Sequence, residues 1–198
     1  MKTDLFDGSR MYPWYEIIEQ SDDITQGDII KDCYIPLPGK SFYEAILENT
    51  SEPNGPIDVS TGDLIVLTQA CDILNDKIDS IVLCPVWPLT VLMKNNQYYN
   101  SKDGREGLRQ GKEPAYHLLN SYHLDGNGID FPYSVVDFHR IYSLPKQYLK
   151  SIAEKNSPRI RLLPPYREHL SQAFARYFMR VGLPIDIPKD EIRNVTIS

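Results

Sequence analysis

The chain has 198 residues, enough for one ordinary domain or for one core domain with a helical appendage. Hydrophobic residues make up 41% of it and charged residues 24%, so the composition excludes a chain that is disordered as a whole. The net charge of −6 disfavours a general nucleic-acid binder. The charge is uneven, however: residues 1–158 have 14 basic and 23 acidic residues, whereas residues 159–198 have seven basic and four acidic ones.

Residues 1–25 combine aromatic rings with acids and predict an N-terminal arm that packs its rings against the domain. They contain no apolar segment of the kind that a secretory signal needs. The longest nearly apolar stretch, residues 81–93, is too short to span a bilayer and contains two prolines. Three widely spaced cysteines, with no CxxC pair, do not form a disulfide framework. We therefore expect a cytoplasmic protein with no membrane contact.

The first half of the chain predicts strands. Residues 26–30 read as a strand that ends in a proline-rich loop, and residues 42–47 read as a second, short strand. Turn-forming residues predict a loop over 49–62. The run of aliphatic residues in 63–69 predicts a central strand buried on both faces, and 81–87 predicts its antiparallel neighbour. Pro85 indicates that this neighbour reaches an edge or a bulge partway along.

The second half mixes strands and helices. Residues 94–114 predict a polar loop with some helix, and residues 115–124 and 131–144 predict strands around a turn at 125–128. Residues 146–156 predict a short helix after a proline. Residues 166–181 predict an amphipathic helix, stopped by Gly182. Its docking face would consist of Leu170, Phe174, Tyr177, Phe178 and Val181. The opposite face would be a basic stripe of His169, Gln172, Arg176 and Arg180.

The end of the central strand is the first candidate site. Thr68, Gln69, Cys71 and Asp72 follow four aliphatic residues, at a point where folds often place reactive groups on a rigid base. A thiol acts as a nucleophile when a nearby histidine or cation activates it, so a Cys71-dependent hydrolase is one hypothesis. The other interpretation is that Cys71 is a small buried residue and Asp72 caps the following turn.

Asp137, His139 and Arg140 form the second candidate site. Asp137 and His139 point the same way on a strand, and a carboxylate, an imidazole and a guanidinium together suit acid–base work on a phosphodiester. A strand with one solvent-exposed face gives the same pattern of alternating polar residues. The basic stripe that includes His169, Arg176 and Arg180 could bind phosphates, or could balance the acidic body through ion pairs.

The histidines and cysteines show no recognised metal-ligand spacing, so we expect no metal and no other cofactor. The glycines of residues 104–111 follow polar sequence rather than an apolar strand and do not predict a phosphate-binding loop.

Four segments in order resemble the MazF/PemK/Kid-type toxin family. Residues 26–30 (QGDII) resemble its early strand, residues 63–68 (DLIVLT) its central strand and residues 81–86 (IVLCPV) the next, while residues 134–137 (SVVD), leading to 141–144, resemble its late strand. The resemblance covers about residues 26–150. It implies an α+β fold: an antiparallel SH3-like β-barrel core with inserted helices and, outside the resemblance, a C-terminal amphipathic helix.

We expect three regions: an arm at 1–25, a barrel-like core at 26–150, which the resemblance covers, and a helical extension at 151–198. The resemblance also implies metal-independent RNA cleavage by residues at strand ends, and a homodimer. If the family's residues are carried over by position, Thr68 would correspond to its hydroxyl on the substrate side, and Asp137 to the acid of its late strand. The chain departs from the family because Arg140 follows the acid, because residues 69–72 (QACD) differ, and because the chain is longer and acidic.

Besides the Cys71-dependent hydrolase, two functions therefore stay open at the level of sequence. The first is a nucleic-acid-directed module, active as an endoribonuclease or retained for binding RNA or DNA. The second is a non-catalytic protein-interaction module of a multi-component bacterial stress or defence system. QxCD after an aliphatic strand, together with the late PYRE and RVGLP segments, also resembles uncharacterised bacterial proteins, a likeness that implies no activity.

Overall fold

A computed structural model of the chain describes residues 12–21, 23–48, 57–123 and 129–179. Within these residues the protein has mixed α and β structure. The strands are β1 (Tyr15–Ile18), β2 (Asp28–Pro38), β3 (Ile57–Val66), β4 (Ser80–Pro88), β5 (Tyr116–Leu119), β6 (Tyr122–His123), β7 (Asp130–Phe131), β8 (Ser134–Asp137), β9 (Tyr142–Pro145) and β10 (Arg159–Leu162). The helices are α1 (Lys40–Leu47), α2 (Ala70–Leu74), α3 (Leu89–Asn95), α4 (Lys102–Arg109), α5 (Lys146–Lys155) and α6 (Tyr166–Phe178), with a 3₁₀ turn at Gln97–Asn100.

One antiparallel sheet organises the fold. Its strand order is β1-β10-β2-β3-β4-β8-β5, and β9 adds to β4 beside β8. A separate two-stranded ribbon joins β6 to β7. The predicted α+β class is confirmed. Among the described residues the end strands β1 and β5 do not pair with each other, so the sheet path does not close there into a barrel.

The central strands are buried on both faces, as the aliphatic runs predict. Ile65 on β3 packs into a cluster with Leu170 of α6, whereas its neighbours Leu64 and Val66 pack into a second cluster with Leu149 of α5. The alternation follows from the two-residue period of a strand. One face of the sheet therefore packs against α6 and the other against α5.

Pro85 lies where β4 changes partners. On one side β4 pairs with β9 up to Leu83 and with β8 from Val86 onward. A proline has no N–H to donate, and here it falls in the gap between the two ladders. On the other side Pro85 stays opposite Leu64 of β3.

Three predicted elements were wrong. The proline-rich segment after residue 30 is not a loop, because β2 continues through it as far as Pro38. Residues 42–47 form part of helix α1 rather than a strand, and none of its residues is buried. The end of the predicted loop is strand, since β3 begins at Ile57 and pairs with the far end of β2. These segments lie outside the buried part of the sheet, where burial constrains the sequence weakly. Pairing between β2 and β3 makes the two outer segments strand, whereas α1 forms between them as an exposed helix.

The two ends of the chain meet in the sheet. Strand β1 comes from the predicted arm and β10 from the predicted C-terminal extension, and they pair with each other beside β2. Helix α6 docks by Leu170, Phe174 and Tyr177, whereas Phe178 is 57% exposed. Val181 lies outside the described residues. None of the described helices is both long enough and apolar enough to cross a membrane.

Candidate nucleic-acid interface

A cavity of about 960 Å³ lies at the β5 end of the sheet, between α4 and α6. We call it the basic cavity. Its charged and imidazole side chains are Lys102, Arg105, Glu106, Arg109, His117, His169 and Arg176, and its aromatic side chains are Trp14, Tyr133 and Tyr166. A cavity of this size holds a ligand as large as a few nucleotides.

Two helices bring the cations to the basic cavity from opposite sides. On α6, His169, Gln172 and Arg176 follow one another at helical spacing and share a face. On α4, Lys102, Arg105 and Arg109 do the same. Both helices therefore present one polar face to the same space.

Helix α4 is held in place at its first turn. The Ser101 hydroxyl accepts a hydrogen bond from the Gly104 backbone N–H at 2.9 Å and caps the helix. A Cβ atom at Gly104 would lie 2.3 Å from the Tyr98 carbonyl oxygen, so this close approach requires glycine. Arg105 donates from Nη1 to the Asn100 carbonyl at 2.7 Å, which fixes its guanidinium beside the cavity.

Among the described residues, Glu106 is the one acidic side chain that lines the cavity, and it is already paired. Arg109 donates to both oxygens of Glu106, at 2.7 and 2.6 Å, and hydrogen bonds from Arg109 and Gln110 lower the pKa of Glu106 to about 2. Within the described part of the chain, neither Lys102 nor Arg176 is in an ion pair. Their charges remain available to an anion.

The pKa of His117, on β5, reflects its burial and the positive charge of the side chains around it. Burial, together with the positive charge of the neighbouring His169 and Arg176, lowers its pKa to about 4. The imidazole is therefore neutral near pH 7. A bound anion would oppose the effect of these neighbours.

Aromatic rings line one wall of the cavity. Trp14 stacks on Tyr166 with ring centroids 3.7 Å apart and planes 12° from parallel. The Tyr166 hydroxyl donates to the Tyr12 carbonyl at 3.2 Å, which anchors the pair to the chain segment before β1. Tyr133, 55% exposed, lies on the same cavity. Flat rings beside cations are the usual surface for unpaired bases.

Of the residues predicted to bind nucleic acid, His169 and Arg176 line the basic cavity, and Arg180 lies outside the described residues. Two other cations of the same C-terminal section are engaged elsewhere: Arg159 and Arg161 pair with the buried Asp28. Sequence reasoning missed the α4 side. The KxxRxxxR spacing of residues 102–109 has a helical period and could have indicated it.

The segment after β3 makes mainly local contacts. The Thr68 hydroxyl accepts a hydrogen bond from the Val82 backbone N–H at 2.8 Å. Cys71 is exposed rather than buried, and its Sγ lies 3.7 Å from Gln69 Oε1 and 3.8 Å from Asp72 Oδ1. Asp72 also lies 3.6 Å from Lys77. The described hydrogen bonds bring no histidine or arginine to the thiol, which is what an activated cysteine needs.

The second predicted group does come together. Asp137, at the end of β8, is 9% exposed, and its Oδ1 lies 2.8 Å from His139 Nδ1. Arg140 and Asp137 line a second cavity, of about 390 Å³, which we call the small cavity. No described hydrogen bond or ion pair links this group to Thr68, Gln69, Cys71 or Asp72.

The two cavities flank strand β5. Tyr116 pairs with Asp137 and lines the small cavity, whereas the next residue, His117, pairs with Val136 and lines the basic cavity. Consecutive strand residues point to opposite faces. Among the described residues no group of three histidine, cysteine or acidic side chains could hold a metal ion.

No protein-family model matches the chain, and no curated protein is similar enough in sequence to count as a relative.

Proposed function

We propose that this protein binds single-stranded RNA in the basic cavity. The observation that carries the proposal is the convergence of cations from α4 and α6 on a space walled by the stacked Trp14 and Tyr166. Cations hold phosphates, and aromatic rings stack on bases that are not already stacked in a duplex. Both kinds of contact are present within one cavity.

The net charge of −6 does not conflict with this proposal. A nucleic acid responds to the local field of the surface that it approaches, and Glu106, the acid of this cavity, is neutralised by Arg109. The distant acids restrict binding to this one surface. The resemblance to MazF/PemK/Kid proteins favours RNA over DNA as the ligand.

A salt titration of RNA binding tests the proposal. A fluorescently labelled single-stranded RNA of about ten nucleotides should bind at low salt, and its affinity should fall as salt rises. If three cations each neutralise one phosphate, the slope of log K against log salt should be roughly −2. Fluorescence anisotropy measures it, with a duplex of the same sequence as the control. Absence of binding at low salt, or equal affinity for the duplex, would contradict the proposal.

The finer proposal is that the bound strand is cleaved and that the sheet is a relative of the MazF/PemK-like SH3 barrel. The succession of antiparallel strands β2, β3 and β4 with helices inserted between them supports it. Asp137, His139 and Arg140 supply polar groups at a strand end, as that family uses. Within this proposal the protein works in the cytoplasm and forms a homodimer.

A second candidate function, a protein-interaction module, is favoured by one observation. The outer part of the β2–β3 ribbon and α1 expose large apolar side chains: Tyr34, Leu37, Tyr43, Ile46, Leu47, Ile57 and Val59. Clustered apolar groups of this kind mark binding surfaces. Co-purification of one stoichiometric protein partner, together with no RNA affinity, would favour this function over the first.

A further inference from the structure

Two side chains of opposite charge line the small cavity without neutralising each other. Arg140 is exposed, and within the described part of the chain it is in no ion pair, with Asp137 or with any other acid. Asp137 is held by His139 through one oxygen only: the His139 backbone N–H donates to Oδ1 at 3.0 Å, and ring Nδ1 lies 2.8 Å from the same atom.

The second carboxylate oxygen of Asp137, Oδ2, is open to a ligand. It takes part in no described hydrogen bond or ion pair. Among the described residues no fully buried side-chain oxygen lacks a hydrogen-bond partner, so Oδ2 must reach accessible surface although Asp137 is only 9% exposed. The small cavity therefore offers a ligand one negative and one positive group.

Tyr116 places a hydroxyl between these two charges. Its ring is held edge-on by Tyr99 and His139, with ring centroids 5.8 and 5.3 Å away. Burial raises the pKa of Tyr116, and of the two charges of the cavity Asp137 raises it while Arg140 lowers it, so both act on the same phenol. The hydroxyl is therefore protonated near pH 7 and, since no described hydrogen bond uses it, can donate to a ligand.

An apolar wall and an amide complete the small cavity. Trp87 near the end of β4 and Val91 and Leu92 of α3 form the wall. Asn96, which ends α3, accepts a hydrogen bond through Oδ1 from the Tyr98 backbone N–H at 3.0 Å, so its amide N–H groups remain for a ligand. The volume of about 390 Å³ lies near the lower end of the range for small-molecule sites. The cavity suits a small molecule with an apolar part.

The two charges select the class of that molecule. A ligand with negative charge alone would be repelled by Asp137, and one with positive charge alone would be repelled by Arg140. A ligand with a carboxylate and an ammonium group meets an opposite charge at each end. An α-amino acid has both groups on one carbon atom, and its side chain can contact the apolar wall.

We propose that the small cavity binds a free α-amino acid with an apolar side chain. Arg140 binds its carboxylate in a two-point contact, assisted by the Tyr116 hydroxyl, and Asp137 Oδ2 accepts from its ammonium group. This site is separate from the RNA site, because the two cavities lie on opposite faces of β5. A bound amino acid would also occupy Asp137 and Arg140, and would therefore inhibit any cleavage that uses them.

Isothermal titration calorimetry with L-phenylalanine and L-leucine tests the inference. The wild type should bind at least one of them saturably, at one site per chain. Two analogues of each probe separate the charges: the N-acetyl form lacks the ammonium charge, and the amine in which hydrogen replaces the carboxylate lacks the negative charge. Each analogue should bind at least about 10-fold more weakly, since it loses a hydrogen bond between charged groups.

Two variants test the residues. Arg140→Ala should weaken amino-acid binding by at least about 10-fold. Lys94→Ala is the matched control: it removes an exposed cation of α3 that does not line the small cavity, and should keep wild-type affinity. Asp137→Asn should reverse the preference, so that the N-acetyl form binds at least as tightly as the free amino acid, because the repelling charge is gone. Circular dichroism checks that each variant is folded.

Three results would overturn the inference: no saturable binding of either amino acid by the wild type, equal affinity for the N-acetyl forms, or unchanged affinity in Arg140→Ala. Tighter binding of adenosine 5′-monophosphate than of either amino acid would also overturn it, in favour of an anion site. The two proposals fail separately. Binding of RNA without binding of an amino acid would contradict this inference alone, and the reverse would contradict only the proposed function of the basic cavity.

Discussion

Replacing Asp28 with alanine should lower the free energy of unfolding by about 3–5 kcal/mol, the cost of leaving buried charge without its partner. Asp28 is completely buried, on β2, and two arginines of β10 converge on it. Arg159 Nε lies 3.1 Å from one carboxylate oxygen, and Arg161 donates to both oxygens. Without the carboxylate, the Arg159 guanidinium, whose side chain is 1% exposed, would lose its only acidic contact among the described residues.

The effect should be large because the network also holds the N-terminal segment. Arg159 donates to the Ser21 carbonyl at 2.7 Å and to the Asp23 carbonyl, and Asp28 accepts from the Thr25 backbone N–H at 3.2 Å. Loss of one carboxylate therefore loosens β1, β2 and β10 together. Charge-assisted hydrogen bonds of this kind are each stronger than neutral ones.

Urea unfolding followed by circular dichroism measures the change. Asp72→Ala is the control, because Asp72 forms an exposed pair with Lys77 at 3.6 Å and its loss should cost at most about 1 kcal/mol. Equal destabilisation in the two variants would show that the Asp28 network does not hold the sheet together as described.

The double variant Lys102→Ala/Arg176→Ala should lose roughly 10²-fold in affinity for single-stranded RNA. The two cations lie on opposite walls of the basic cavity and are not in ion pairs with other described residues, so each is available to a phosphate. One hydrogen bond to a charged group contributes about 1.5–3 kcal/mol, and two such losses account for the expected effect. The variant should fold normally, because both side chains are exposed.

A variant with the same charge change controls for long-range electrostatics. Lys40→Ala/Lys155→Ala removes two exposed cations that line neither described cavity. Its affinity should fall by less than about threefold, since charges beyond a Debye length of about 8 Å are screened at physiological salt. An equal fall in both double variants would mean that net charge rather than the cavity governs binding.

The parts of the fold that could be predicted are those in which apolar residues recur at the spacing of a strand or a helix. The aliphatic run gives the inner end of β3, where Leu64, Ile65 and Val66 are buried on both faces, and the 3.6-residue pattern of α6 places Leu170 in the core and Arg176 on the polar side. The same pattern indicated His169 and Arg176 as neighbours. Strand β10 alternates arginine with Ile160 and Leu162 at the two-residue period of a strand, but this local pattern does not show that both arginines face the buried Asp28.

The rest of the site depends on contacts between distant segments. Trp14 stacks on Tyr166, which lies 152 residues later in the chain, and α4 and α6 line one cavity only because both lie at the β5 end of the sheet. No local sequence pattern predicts that these distant segments lie together. Asp137 and His139 are different: their spacing of two placed them together in the prediction, but β8 ends at Asp137, and a turn rather than a strand aims the ring at the carboxylate.

The salt dependence of RNA binding by the Lys102→Ala/Arg176→Ala variant tests the central claim most directly, because it counts the phosphates that the basic cavity contacts. Each cation removed from a phosphate should reduce the slope of log K against log salt by about 0.7, so the variant's slope should be shallower than the wild type's by about 1.4. The Lys40→Ala/Lys155→Ala control should keep the wild-type slope. A wild-type slope in the cavity variant would contradict the account, since RNA would then bind at another surface.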